Sequence, residues 1–205
     1  AISGTLDTNK VSINILSGGV LSAPSVTALS VVTSSVVTIS TGSNFSAPLS
    51  TLNILGGSMT VNSGATYQSF AISNFNVSAG LFTLGASTIF NLATTSLNIN
   101  GNATVSLGTS STLSQTITTV SINHGSLVVS PKVVFSSTTV NTLTVGNGTV
   151  SSTLVLSSFT TSTNSFNQAA AITVNSKGTI THATNTTAQA NILNLSVITL
   201  TVNSG

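Results

Sequence analysis

The chain has 205 residues, and only four of them carry a charge: Asp7, Lys10, Lys132 and Lys177. Three scattered lysines without an arginine cannot neutralise a run of phosphates, which argues against nucleic-acid binding. A single carboxylate excludes enzymes that work with paired carboxylates, and the absence of cysteine excludes disulfide scaffolds and thiolate metal sites.

The composition favours β-structure throughout. Ser and Thr make up 73 of the 205 residues, and the β-branched residues Val, Ile and Thr, which suit a pleated strand, are abundant. Glu and Arg are missing, so the strong polar helix formers are scarce. Apolar runs are short, whereas a membrane-spanning helix needs about 18 or more consecutive apolar residues. We therefore predict an all-β chain without a spanning helix.

A repeat becomes visible from residue 13 onward. Each copy consists of an apolar residue, a small polar residue, a second apolar residue, a short variable stretch and then a glycine. The nine copies begin at Ile13, Val37, Leu52, Phe75, Leu97, Val120, Leu143, Ile172 and Leu200. Their mean spacing is about 23 residues, and a period of this size is typical of solenoids.

The glycine that closes each copy has a predicted role at a corner. A chain that turns a corner in every coil needs residues that tolerate a positive φ, and glycine does so without a steric penalty. The closing glycines are Gly18, Gly42, Gly57, Gly80, Gly101, Gly125, Gly148, Gly178 and Gly205.

We predict a parallel β-solenoid of about eight coils of about 23 residues, because one such coil cannot bury its own apolar stripe. Successive coils would lie about 4.8 Å apart and stack their inward residues into one core. Residues 1–12 would form an N-terminal edge and residues 13–205 a single repeat array, with longer excursions near residues 160–171 and 185–196. The alternative is an antiparallel β-sandwich of the pilin type, whose short strands and frequent turns also give a quasi-periodic pattern.

The small polar residue of each copy lies between two apolar residues, so it is predicted to point outward. Together these residues would form a polar ladder of Asn14, Thr38, Asn53, Asn76, Asn98, Ser121, Thr144, Thr173 and Thr201. Such a ladder would either contact glycans or a mineral or ice surface, or serve as a solvated face stabilised by side-chain contacts between coils.

The titratable residues predict little chemistry. Nucleophilic catalysis needs a base and an orienting group beside the nucleophile, yet the only imidazoles are His124 and His182 and the only carboxylate is Asp7. His124 falls in a repeat turn before Gly125, and His182 follows Thr181 at an expected outward strand position. Nothing in the spacing brings these residues together as metal ligands. We predict that the protein is not an enzyme and has no catalytic residue, metal site or cofactor.

Six Asn-x-Ser/Thr sequons are candidate N-glycosylation sites: Asn44, Asn76, Asn102, Asn147, Asn185 and Asn194. Chance alone accounts for a number of this size, because Asn, Ser and Thr are so common in the chain. Asn102 and Asn147 fall in expected turns, so they would be the most accessible acceptors in a secreted chain.

The segment from Leu52 to Tyr67 reads LNILGGSMTVNSGATY. This cadence resembles the coils of secreted parallel β-helix surface proteins, namely filamentous-haemagglutinin-type adhesins and autotransporter passengers. The similarity extends over most of residues 11–205 and contains no diagnostic motif. It implies an extracellular, elongated protein with a load-bearing or adhesive role.

The two ends of the repeat lead to a functional hypothesis. Soluble solenoids carry polar caps, because their outer coils otherwise expose unpaired strand edges, and neither Ala1 to Leu6 nor Leu200 to Gly205 reads as such a cap. A net charge of only +2 gives little repulsion between copies. We therefore predict a structural, self-assembling subunit of an extracellular filament, sheath or cell-surface fibre, whose partner is a second copy joined end to end. The alternatives are a pilus or thread subunit assembled by donor-strand addition and an adhesin that binds surface glycans or ice.

Overall fold

The computed structural model describes residues 3–7, 12–69, 72–92, 96–113, 117–135, 140–156, 171–184 and 197–204. These residues form strands and turns, with no helix among them. The chain winds through three sheets, A, B and C, and each strand pairs in parallel with the strand at the same position in the next coil. The parallel β-solenoid is therefore confirmed, and the alternative antiparallel sandwich is wrong.

Strands are numbered along the chain, and each sheet takes every third strand over most of the molecule. Sheet A contains β1 (Ser3–Asp7), β4 (Ser25–Val32), β7 (Thr51–Leu55), β10 (Asn74–Ser78), β13 (Ser96–Asn100), β16 (Thr119–Ile122), β19 (Thr142–Val145), β21 (Ala171–Val174) and β23 (Thr199–Val202). Sheet B contains β2 (Ser12–Ile15), β5 (Val36–Ile39), β8 (Ser58–Val61), β11 (Leu81–Leu84), β14 (Ala103–Leu107), β17 (Gly125–Val129), β20 (Ser152–Leu156) and β22 (Gly178–His182). Sheet C contains β3 (Val20–Ser22), β6 (Asn44–Ser46), β9 (Thr66–Ser69), β12 (Ile89–Leu92), β15 (Thr112–Leu113) and β18 (Val134–Phe135).

The described strands make about six complete turns, slightly fewer than the eight predicted, because sheet C has six strands. Two further coils are described on two sides only, by β19 with β20 and by β21 with β22. The strand β23 begins the coil after them. Among the described residues, sheet A thus runs from β1 to β23, with one shift of register between Gly4 and Thr5 where β1 pairs with β4.

The strand register shows that the first two repeat copies lie in a different sheet from the later copies. Ile13 and Val37 pair with each other in sheet B, whereas Leu52 lies in sheet A and pairs with Leu29. The irregular interval between Val37 and Leu52 is therefore the step from one side of the solenoid to another. The error arises because strands of both sheets share the same order of apolar, small polar and apolar residues, so the pattern alone does not distinguish the sides.

Inward side chains stack in columns that form one continuous core. One column of sheet A is buried in every coil from Leu29 to Ile172. In sheet C, the rings of Phe45, Tyr67 and Phe90 stack with centroids 5.2 Å and 4.4 Å apart. Because burying one such ring contributes about 1.5–3 kcal/mol, this aromatic stack holds the second, third and fourth coils together.

The corner between sheets B and C is a four-residue turn in each of the six complete coils. The turns comprise residues 16–19, 40–43, 62–65, 85–88, 108–111 and 130–133. Their third residues all have a positive φ, and they are Gly18, Gly42, Gly64, Ser87, Ser110 and Lys132. In the first turn, the N–H of Gly19 donates to the carbonyl oxygen of Leu16 at 2.7 Å. A positive φ at the third residue and none at the second is the pattern of a type II turn, in which Pro131 occupies the favoured second position.

The predicted corner glycines fall into two groups. Five have the expected positive φ: Gly18, Gly42, Gly101, Gly125 and Gly148. For Gly57, Gly80 and Gly178 the predicted reason is wrong, because their φ is not positive. A Cβ on Gly80 would lie 2.7 Å from the carbonyl oxygen of Gly57, and one on Gly178 would lie 2.2 Å from that of Val145. Glycine is needed at these positions because the preceding coil approaches so closely. Gly205 lies outside the described residues.

The predicted excursions near residues 160–171 and 185–196 lie outside the described residues, apart from Ala171, which begins β21. The structure contains a further excursion that the repeat did not predict. Residues 146–151 connect β19 to β20, whereas only residues 123–124 connect β16 to β17 in the preceding coil. This longer connection, which we call the 146–151 loop, lies at the corner between sheets A and B.

Candidate functional site

The carboxylate and the two imidazoles lie in separate coils. Asp7 ends β1 in the first coil, His124 lies in the corner between β16 and β17 in the sixth, and His182 ends β22 in the eighth. Within the described part of the chain, no three His, Cys, Asp or Glu side chains lie close enough to hold a metal ion. The carboxylate and the two imidazoles are therefore not brought together as a catalytic or metal-binding cluster.

The register places His182 in an inward column, so its predicted outward position is wrong. It pairs with Leu156, which is 1% exposed. His182 itself is exposed, because no described strand covers β22 on its other side. Its ring Nδ1 lies 2.7 Å from the carbonyl oxygen of Ala183. A polar residue thus ends a column that is apolar in the coils before it.

On the outer face of sheet A, three amide side chains form a hydrogen-bonded row, which we call the asparagine ladder (Asn53, Asn76 and Asn98). Nδ2 of Asn76 donates to Oδ1 of Asn53 at 2.9 Å, and Nδ2 of Asn98 donates to Oδ1 of Asn76 at 2.9 Å. An amide can stack on itself in this way because it is both donor and acceptor. The sequence signal for this ladder is the recurrence of Asn after 23 and then 22 residues.

The predicted polar ladder lies on two faces of the solenoid. Seven of its members share one outward column of sheet A: Asn53, Asn76, Asn98, Ser121, Thr144, Thr173 and Thr201. The prediction is wrong for Asn14 and Thr38, which pair with each other on sheet B. The residue that precedes Asn53 in the sheet A column is Ser30. The cause is that the first two repeat copies were assigned to the same side of the solenoid as the later ones.

A shallow groove follows the corner between sheets A and B in the second to fourth coils. It has a volume of about 450 Å³, and small residues such as Gly56, Gly57 and Gly80 line it. Val36 and Leu81, which are 38% and 42% exposed, form part of its rim. The residues lining the groove carry no charge, and its polar side chains are the hydroxyls of Ser34, Ser35 and Ser58.

The exposed inward residues of the last described strands form an apolar surface, which we call the open edge (β22 and β23). Leu200 is 53% exposed and Val202 is 70% exposed. Leu200 pairs with Ile172, which is fully buried in the coil below. Among the described strands, β23 pairs with β21 on one side only. Within the described residues, the open edge therefore has both a strand edge that no other strand pairs with and exposed apolar side chains.

Comparisons with known proteins add no assignment. No protein-family model, curated protein or solved structure matches this chain. The fold agrees with that of β-helix repeat proteins, which is the coarser part of the resemblance noted in the sequence. In the described part of the chain, there is no helix of the length and apolarity needed to cross a membrane.

Proposed function

We propose that the protein is a structural, self-assembling subunit of an extracellular filament, sheath or cell-surface fibre. A second copy would join the open edge by parallel strand pairing, as each coil of the solenoid joins the next. The extracellular location is supported by the resemblance to secreted β-helix surface proteins. The near absence of charge also favours stacking of copies, because a charge in each coil would be repeated at short range.

The observation that carries this proposal is the exposure of inward side chains at the open edge. Leu200 remains 53% exposed, although Ile172, its equivalent one coil earlier, is fully buried. Val202 is 70% exposed, whereas its equivalent Val174 is partly buried against the core. Full burial of each would contribute at most about 1.5–3 kcal/mol. An exposed apolar strand edge is also a template for pairing with another strand. A further coil of the same polypeptide would satisfy this edge by the same contacts.

The asparagine ladder supports a structural role for the outer face of sheet A in preference to glycan binding. The amides of Asn76 and Asn98 are hydrogen-bonded along the ladder at 2.9 Å. Amides that are satisfied by one another gain little from a sugar hydroxyl, whereas they do stabilise the stacking of coils. The donor-strand alternative depended on the sandwich fold, so it is not proposed further.

Electron microscopy and sedimentation velocity of the 205-residue chain test the proposal. We expect filaments that lengthen with protein concentration. Leu200→Lys should suppress them, because it places an ammonium group in the inward column at the joint. Its matched control is Thr201→Lys, which adds the same charge to the outward column of the same strand.

Circular dichroism of both variants would verify that the solenoid is still folded. Monodisperse wild-type protein at high concentration would contradict the proposal. So would filaments that respond equally to Leu200→Lys and Thr201→Lys, because the inward column would then not be the joint.

A further inference from the structure

The sequons in the described residues form two pairs with different environments. Asn44 and Asn76 lie in the strands β6 and β10, whereas Asn102 and Asn147 lie in connections between sheets A and B. The remaining sequons, Asn185 and Asn194, lie outside the described residues. A sequon in a folded secreted protein carries its bulky glycan on Nδ2, which must therefore face solvent.

The two strand sequons do not meet this condition. Asn76 uses both atoms of its amide in the asparagine ladder, donating to Asn53 and accepting from Asn98 at 2.9 Å each. A glycan on Asn76 would place a bulky sugar directly beside the amides of Asn53 and Asn98, about one coil spacing away, and would therefore disturb the ladder. Asn44 is only half exposed, and its Oδ1 is buried.

Asn147, in the 146–151 loop, has the geometry of an accessible acceptor. Its Oδ1 accepts hydrogen bonds from the backbone N–H of Thr149 at 2.9 Å, from the Thr149 hydroxyl at 2.9 Å and from the N–H of Val150 at 3.1 Å. These bonds fix the amide through its oxygen, and no described residue accepts from its Nδ2. Asn147 is exposed, and a Cβ on Gly148 would have no atom within 4 Å, so the space around the sequon is open.

Asn102 lies at the same corner of the solenoid, two coils before the 146–151 loop. It is exposed and has a φ of 65° in the turn between β13 and β14. Coils are spaced about 4.8 Å apart, so the two asparagines are separated by about 10 Å along the axis. Both therefore lie on one lateral corner, away from the inward columns that end at the open edge.

We propose that Asn102 and Asn147 carry N-linked glycans that keep assembled solenoids apart laterally while leaving the open edge free to stack. The inference rests on the proposed extracellular function. In the modification, Nδ2 forms a bond to C1 of an oligosaccharide carried on a lipid diphosphate. The bond between C1 and the phosphate oxygen breaks, the lipid diphosphate leaves, and Nδ2 loses one proton. Bulky, hydrated groups on one corner hinder side-by-side contact but do not cover the strand edges.

The experiment is secretion of the chain from a glycosylating eukaryotic cell line, followed by glycopeptide mass spectrometry of the folded product. We expect occupancy at Asn102 and Asn147 and none at Asn44 or Asn76. The double variant Asn102→Gln with Asn147→Gln should then form thicker bundles than the glycosylated protein in electron micrographs. The length of individual filaments should not change.

Bare Asn147 in the folded, secreted protein would overturn the proposal, and so would a glycan on Asn76 in folded material. Filament bundles of equal width with and without the two glycans would overturn the lateral role. Site occupancy is measured on single chains and does not require filaments. A failure to assemble would therefore contradict the proposed function while leaving the result on the acceptor sites intact.

Discussion

Replacement of Gly80 by alanine tests why glycine occurs at the corner between sheets A and B. The new Cβ would lie 2.7 Å from the carbonyl oxygen of Gly57 and 2.7 Å from Cγ2 of Ile54. The first contact is with backbone that is fixed by the ladder of the preceding coil, since the N–H of Leu81 donates to the same oxygen at 3.0 Å. Overpacking of this kind costs about 1–3 kcal/mol. Taking about 2 kcal/mol, the melting temperature should fall by about 4–8 °C.

The matched control is Gly64→Ser in the neighbouring coil. Gly64 has a φ of 71°, and the nearest atom to an added Cβ is Cγ2 of Thr41 at 3.9 Å. The next two coils place Ser87 and Ser110 at the same turn position with positive φ. We expect a cost of about 1 kcal/mol from the left-handed conformation, and a decrease of about 2–4 °C. The melting temperatures of both variants can be measured by circular dichroism. A larger decrease for Gly64→Ser than for Gly80→Ala would refute the reasoning, because the positive φ and not the close approach of the preceding coil would then set the cost of replacing glycine.

Two further predictions concern the asparagine ladder and the open edge. Asn76→Asp should lower the free energy of unfolding by about 1–3 kcal/mol in chemical denaturation, because a carboxylate would face Oδ1 of Asn53 with no proton between them. The control is Asn76→Thr, the residue type found at Thr144, which should lower the free energy of unfolding by less. Equal losses in the two variants would contradict a role for the amide. His182→Leu should lower the concentration at which filaments form by roughly tenfold, because about 1.4 kcal/mol of added apolar burial changes an equilibrium constant by that factor. The control is Thr181→Leu, which adds the same side chain on the outward face. An equal effect of both variants would exclude His182 from the joint between copies.

The fold could be predicted from the sequence because stacking of coils repeats the same requirement every 23 residues or so. Each coil must supply an apolar residue to a column that the neighbouring coil also fills. Leu52, Phe75 and Leu97 are three consecutive members of such a column, and their regular spacing is visible in the sequence. The side to which a given triplet belongs was harder to predict. Val37 and Leu52 have the same local pattern, and only pairing between distant residues assigns them to different sheets.

The candidate surfaces were predictable only where they depend on residue type. The apolar character of Leu200 and Val202 is evident in the sequence, and so is the recurrence of asparagine. The inward position of His182 was missed because a shift of one residue reverses the face of a strand. The need for Gly80 was assigned to the wrong cause, because a contact with Gly57 in the preceding coil leaves no trace in the local sequence.

The near absence of charge and the asparagine ladder have the same physical origin, which is the stacking of successive coils. In a parallel, in-register solenoid, each outward position lies next to its own equivalent, about 4.8 Å away. Two carboxylates or two ammonium groups at that distance repel, whereas two amides match, since each offers a donor to one neighbour and an acceptor to the other. Asn76 does this with Asn53 and Asn98. A side chain that is complementary to itself within one chain is equally complementary to a second copy, so the composition that stabilises the coils also favours their continuation across a joint.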